Sequence, residues 1–297
     1  MILTELGHRP LIVAAVTPLT DDGATLDEAA VGPYAAFLEG HGADGAFACG
    51  TTGEGVLLTL DERRRVARAF RSALRGRLVV HAGAQTTADT VALAADAAEL
   101  GADAVAVIAP PYFPLDADAL TAHFVAAARA CAPLPFFCYA FAARSGYPLP
   151  VEVIRRIGAE VDNLAGLKVS ESPFERAEPY LDLGLPVLIG SEPLLVDALA
   201  RGAIGTVSGM AAAFPDVLRA ALDDPGPEAA ARLGALRSAL EANGQFIASI
   251  KHVLRLRGVP VEPGMRAPLR TLTDDETDAL DASLATFLEP VPALKMD

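Results

Sequence analysis

Eight short apolar runs recur along the chain, each separated from the next by a longer stretch with helical patterning. They are Leu11–Leu19, Gly45–Gly50, Leu78–Gly83, Ala104–Pro110, Pro135–Ala140, Leu164–Ser170, Pro186–Gly190 and Gly205–Met210. Most are apolar throughout rather than alternating, as strands are when both faces of a parallel sheet are covered. Parallel neighbours require a crossover, and the intervening segments carry helix signals. Thr25-Leu26-Asp27-Glu28 and Thr59-Leu60-Asp61-Glu62 read as capping boxes, with Thr as N-cap. Val66, Phe70 and Leu74 follow the second box on one helical face. Ser172-Pro173-Phe174-Glu175 places proline at a first helical position, and Gly101 ends a helix that begins near Thr87. Short helices are expected after Pro150, Pro193 and Pro215.

Eight strand–helix units predict an α/β chain that closes into a (β/α)8 TIM barrel over residues 1–223. An open doubly wound sheet would show a glycine-rich turn after its first strand. Here that strand ends in Thr17-Pro18-Leu19-Thr20, with no GxGxxG. Asp223-Asp224-Pro225-Gly226-Pro227 reads as a linker, and residues 224–297 carry three further helical patterns. Phe246, Ile247, Ile250, Val253 and Leu254 mark the apolar face of the second, and Thr273–Glu276 is a capping box that opens the third. So short a segment cannot bury a sizeable core alone, so it is expected to pack on the barrel as a C-terminal helical extension.

The charge balance narrows the partners. A net charge of −14 disfavours nucleic acid and anionic membranes, which need clustered Lys and Arg. It leaves room for a small anionic substrate held by one or two local donors. No apolar run reaches the ~18 residues of a membrane span, and Met1–Pro10 lacks the basic start of a signal peptide. Cys49, Cys131 and Cys138 show no CxxC or Cys/His spacing, so reduced thiols and a cytoplasmic location are expected. Cys49 and Cys138 read as small core residues. His8, His41, His81, His123 and His252 are scattered, which predicts no metal cluster.

The chemistry is sought at the C-terminal ends of the strands, where a barrel of this kind carries its active site. Lys168, one of only three lysines with Lys251 and Lys295, falls there in Leu164-Ala165-Gly166-Leu167-Lys168-Val169-Ser170. A buried lysine is costly unless its charge is paired or its pKa is lowered, and the lowered form is a neutral amine that attacks carbonyls. The alternative is a lysine that snorkels or pairs with an acid. After the second strand, Gly50-Thr51-Thr52-Gly53-Glu54-Gly55 offers hydroxyls and adjacent amides suited to a carboxylate. It also reads as an ordinary βα turn, and no GK[ST] follows to make it a phosphate loop. Tyr139 ends the fifth strand and Tyr112 follows the fourth; a lone tyrosine is more often an aromatic core residue, but two at the same end of the barrel are more suggestive. Arg144, in the loop after the fifth strand, can hold a substrate carboxylate or a surface acid.

Taken in order, GTTGE after strand two, Tyr112 after strand four, Tyr139 closing strand five, Arg144-Ser145-Gly146, and Gly166-Leu167-Lys168 in strand six resemble the dihydrodipicolinate synthase / N-acetylneuraminate lyase family of class I aldolases. The likeness runs from Val13–Pro18 through Gly205–Ser208 into the extension. It implies that Lys168 forms a Schiff base with pyruvate and that Tyr139 moves protons. Thr51 would pass protons between tyrosines, and Tyr112 would complete the relay in a neighbouring subunit's site. Thr51, Thr52, Gly53, Arg144 and Val207 would bind substrate. The resemblance implies a homo-oligomer, dimer or tetramer, and no metal or organic cofactor.

Two stretches depart from the family pattern. The synthases follow the tyrosine of strand five with Asn and, two residues on, Pro, where this chain has Ala140, Phe141 and Ala142. Pro111 stands where lysine-inhibited synthases carry a second tyrosine, which implies no feedback by lysine. The first expectation is therefore a 4-hydroxy-tetrahydrodipicolinate synthase condensing pyruvate with aspartate semialdehyde. A 2-keto-3-deoxy sugar acid aldolase or dehydratase, or a sialic-acid-type lyase, is the alternative. A non-catalytic 2-oxo-acid-binding protein on the same scaffold is the third.

Overall fold

A computed structural model of the protein describes residues 6–288. The start of the Met1–Pro10 segment, Lys295 and the end of the extension lie outside the described residues. Eight strands, β1 (Leu11–Ala14), β2 (Gly45–Ala48), β3 (Arg77–His81), β4 (Ala104–Ile108), β5 (Phe136–Ala140), β6 (Leu164–Val169), β7 (Val187–Ile189) and β8 (Gly205–Ser208), pair in sequence order. β1 pairs with both β2 and β8, through Ile12↔Gly45 and Ile12↔Val207, so the sheet closes and leaves no edge. Every barrel pairing is parallel. The α/β barrel expected from the eight apolar runs is the fold observed. Most of the runs are longer than their ladders because their last residues leave the sheet to form its mouth.

Helices α1 (Glu28–Gly40), α2 (Leu60–Ala73), α3 (Thr87–Glu99), α4 (Ala117–Cys131), a single turn α5 (Ala142–Ser145), α6 (Val151–Glu160), α7 (Phe174–Leu181), α8 (Leu195–Ala200) and α9 (Pro215–Asp223) connect the strands and follow the last. Strand periodicity sorts the core into two shells. Ile12, Ala14, Phe47, Val79, Ala104, Ala106, Phe137, Tyr139, Leu188 and Val207 fill the lumen. Their outward-facing neighbours, such as Leu78, Val80, Val105 and Leu167, pack against the helices. The three cysteines are buried in this outer shell, where burial pushes the Cys49 and Cys131 thiols up to about 11.

Most start signals act where the sequence places them. Glu62 N donates to Thr59 Oγ1 at 3.2 Å and Thr59 N to Glu62 Oε2 at 2.8 Å, a complete capping box. Thr273 and Glu276 repeat the arrangement at 3.3 and 2.9 Å. Thr25 differs: Thr25–Leu26 forms a small antiparallel hairpin with Leu19–Thr20. The N-cap of α1 is Asp27, whose Oδ1 accepts from Ala30 N at 3.1 Å. With the Thr25 backbone engaged in a ladder, the next good capping side chain starts the helix. Pro173 is likewise an N-cap, and α7 begins one residue later, at Phe174.

Past the Asp224–Gly226 linker come α10 (Pro227–Glu241), α11 (Phe246–Leu256) and α12 (Asp274–Leu288). α11 buries Ala248, Ser249, Ile250, Lys251, Val253 and Leu254. Its N-terminal end, with residues 265–269 beyond it, reaches the barrel mouth.

Candidate active site

Lys168 lies one residue before the end of β6, directly opposite Tyr139 on β5 and Leu188 on β7. Residues level with one another on parallel strands share a face, so all three enter the lumen. The Lys168 amine sits 4.1 Å from the ring centroids of both Phe47 and Tyr139. The residue is only 4% exposed and makes no ion pair among the described residues. Loss of water lowers its pKa to about 7, against the opposing pull of the Glu192 carboxylate. Neither snorkelling nor pairing describes this lysine. It is a buried amine whose neutral form is favoured far more than in an exposed lysine.

The turn after β2 comes close to the strand that launches it. Gly55 N donates to Gly50 O at 3.1 Å, and Glu54 N donates to Thr51 O at 3.1 Å. A Cβ on Gly55 would lie 1.9 Å from Cys49 O, so only glycine fits there. Cys49 and Glu54 adopt left-handed conformations, with φ of 59° and 55°. Thr51 and Thr52 consequently face the cavity. Gly53 sits behind them, its carbonyl accepting from Thr17 Oγ1 at 2.6 Å.

Burial raises the pKa of the Tyr139 hydroxyl, while the Thr51 and Ser170 side chains pull it down. Arg144 projects from α5 with its guanidinium carbon 5.8 Å from the Phe141 ring centroid. The turn is held by Glu171, whose Oε1 accepts from Ala142 N at 2.7 Å. Thr51, Thr52, Tyr139, Arg144, Lys168 and Val207 together line one cavity of about 600 Å³ at the barrel mouth. Six of the eight residues singled out from the sequence therefore converge. Gly53 is behind the wall. Tyr112 is 82% exposed, has φ of 83° and stacks edge-on with the Phe113 ring, outside the cavity.

Glu192 belongs to the same site, although it is not among the residues expected from the sequence. It is fully buried just past β7, where Oε1 accepts from Ser208 Oγ at 2.8 Å and from Met210 N at 3.0 Å. Its Oε2 accepts from Arg237 Nη1 at 2.8 Å. The rule that selected Lys168 also reaches Gly190-Ser191-Glu192, which sits at the same end of the barrel. Arg237 and Phe246, which also line the cavity, carry no such signal, because they come from the extension. A smaller cavity of about 270 Å³ lies between α2 and α3, bounded by Arg63, Arg64, Arg68 and Asp96, and is lined by no lysine, cysteine, serine or threonine.

The cavity couples a neutralised lysine to a phenol and a hydroxyl-lined carboxylate turn, an arrangement that can form and protonate imines. The model of the dihydrodipicolinate synthetase family matches residues 8–286. A DapA-like lyase of Halobacterium salinarum is 36% identical over 287 residues, covering 92% of each chain. The 4-hydroxy-tetrahydrodipicolinate synthase of Corynebacterium aurimucosum is 34% identical over 279 residues, 90% of this chain and 91% of that one. The dihydrodipicolinate synthase structure from Aquifex aeolicus superposes with a TM-score of 0.87 at 27% identity, over 96% of this chain and 99% of the other. The chain belongs to the dihydrodipicolinate synthetase family and is a lyase of the class I, Schiff-base type.

Proposed function

We propose that Lys168 forms a Schiff base with pyruvate and that the resulting enamine is joined to, or released from, a carboxylate-bearing aldehyde. The observation that carries this reading is the buried, unpaired Lys168 amine against the Tyr139 ring, with its pKa lowered to about 7. The neutral amine adds to C2 of pyruvate, giving a carbinolamine that loses water to become a protonated imine. That imine withdraws electrons from C3, a methyl proton leaves, and the enamine carbon attacks the aldehyde carbonyl. Hydrolysis returns the free amine and the product. Tyr139 donates and accepts protons at the carbinolamine and imine stages, with Thr51 as the next hydroxyl in line. Thr51 and Thr52 hold the pyruvate carboxylate, with Gly53 shaping the turn behind them and Val207 lining the lumen wall.

In this reading the chain works as at least a dimer. Tyr112, which is exposed in the single chain, completes the proton path of a second copy. Residues 1–223 act as the barrel and 224–297 as an extension that finishes the mouth. No metal or organic cofactor takes part, because the imine itself is the electron sink.

Aspartate semialdehyde is the first candidate for the second substrate, since Arg144 on the outer wall suits its carboxylate. The size of the cavity, about 600 Å³, equally favours a longer keto-deoxy sugar acid. Borohydride reduction with pyruvate, followed by mass analysis, tests the shared first step. An adduct on Lys168 is expected, and its absence defeats both readings. Turnover of aspartate semialdehyde against a panel of sugar-derived aldehydes then separates them. An adduct without turnover of any aldehyde points to the non-catalytic 2-oxo-acid-binding protein.

A further inference from the structure

Lys251 and Glu54 form a fully buried ion pair at 2.6 Å, joining two segments 197 residues apart. Lys251 Nζ also donates to Gly264 O at 2.7 Å, and Arg266 N donates to the second Glu54 oxygen, Oε2, at 2.7 Å. Both carboxylate oxygens of the GTTGE turn are thus held by the C-terminal extension. Arg266 continues outward to Glu62 Oε1 at 2.6 Å, tying the same loop to the start of α2.

Three features set this pair apart from incidental packing. Burying two charges costs several kcal/mol before their attraction returns anything, and an apolar pair of similar volume would fill the space at no such cost. What an ion pair offers instead is directionality, because both Glu54 oxygens and the Lys251 amine must meet fixed partners. Glu54 itself holds a left-handed conformation, φ 55°, which is strained for a non-glycine residue and persists only where its surroundings over-determine it. Finally, the β2 ladder ends at Ala48, so beyond Cys49 no strand pairing fixes Thr51 and Thr52.

We propose that Lys251 and Glu54 are positioning residues: their buried pair sets the Thr51–Thr52 turn in its carboxylate-binding geometry, and so makes the extension part of the pyruvate site. This rests on the Schiff-base reading above. The extension segments that grip Glu54 also deliver Phe246, Ala248, Met265 and Leu269 to the cavity wall. A shift of the extension would therefore move the turn and the wall together.

The test measures borohydride-trapped adduct on Lys168 against pyruvate concentration, together with thermal unfolding. Wild-type protein is trapped first; no adduct there refutes the Schiff-base reading itself. The double variant Glu54→Gln/Lys251→Met removes both charges, so no buried charge is left unpaired, and the amide oxygen at position 54 can still accept from Arg266 N. It is expected to melt close to wild type and to reach the wild-type extent of trapping. Its half-saturating pyruvate concentration should rise about 10- to 100-fold, the size of one lost charge-assisted contact. A folded double variant with wild-type half-saturation overturns the proposal and leaves the pair purely structural.

Hydrogen exchange on the wild type needs no variant and decides the matter should the double variant not fold. Saturating pyruvate should slow exchange in residues 50–57 and 251–266 together. Protection confined to the turn overturns the proposal.

Discussion

Tyr139 and Lys168 are register partners across β5 and β6, and the Lys168 amine lies 4.1 Å from the centre of the Tyr139 ring. The ring does two things at once. Its face removes water from the amine, which favours the neutral form, and the Thr51 and Ser170 side chains lie near enough to its hydroxyl to pull that pKa down. One strand pairing thus desolvates the amine and brings a phenol to its side.

Lys168→Ala should abolish trapping with pyruvate and leave the fold intact. The change removes an amine that was expensive to bury and adds no bulk. Mass analysis reads the first effect. Thermal unfolding reads the second, with a shift of only a few degrees expected.

Trapping should accelerate as pH rises through about 7, where the Lys168 amine loses its proton, and then level off. The same shift has a stability consequence. The folded pKa of about 7 lies below the ordinary value of 10.5, so the unfolded chain binds more protons between these limits. Folding is therefore penalised most fully below pH 7, and the penalty fades as pH rises toward 10.5. Urea unfolding of wild type and Lys168→Ala at pH 6 and pH 9 should show the wild type gaining on the variant at the higher pH.

Tyr139→Phe keeps the ring over the amine and removes the proton donor. Turnover should fall about 10²- to 10⁴-fold, the range of a lost general acid–base group, while slow trapping persists. An unchanged rate of imine formation would remove Tyr139 from the proton path.

Arg144→Ala should leave pyruvate trapping unchanged and raise the KM of a carboxylate-bearing aldehyde about 10- to 100-fold, as expected for a lost charge-assisted contact. Steady-state kinetics with aspartate semialdehyde and with an uncharged aldehyde of similar length separates this from a general loss of activity.

Mixing Tyr112→Phe with Lys168→Ala should restore activity that neither has alone. In a mixed dimer, one site joins an intact Lys168 to the partner's Tyr112, so random reassortment should return about a quarter of wild-type turnover. No recovery after verified subunit exchange would place Tyr112 outside the partner's site.

Much of this architecture was legible locally. Continuous apolar runs identified every barrel strand because both faces of a parallel sheet are buried, and that burial is written into consecutive residues. Thr59 and Thr273 acted as N-caps because a capping box is closed by residues three apart. Thr25 did not, because its backbone pairs with Leu19–Thr20 in a hairpin, a pairing that nothing within its own four residues reveals, and Asp27 caps the helix instead. Lys168, Tyr139, Thr51 and Thr52 were found because the C-terminal ends of strands define the mouth. The same rule would have found Glu192.

By itself the sequence determined the strand order, the reactive lysine and the hydroxyl-lined turn, since each depends on spacing within one strand–helix unit. Only the tertiary structure decided that Lys168 is unpaired while Lys251 is paired. The two lysines differ because Glu54, distant in the chain, reaches the Lys251 amine, while among the described residues no carboxylate ion-pairs with Lys168. Ionisation depends on what lies within a few ångströms in space, and barrel closure brings together residues that no window of sequence contains.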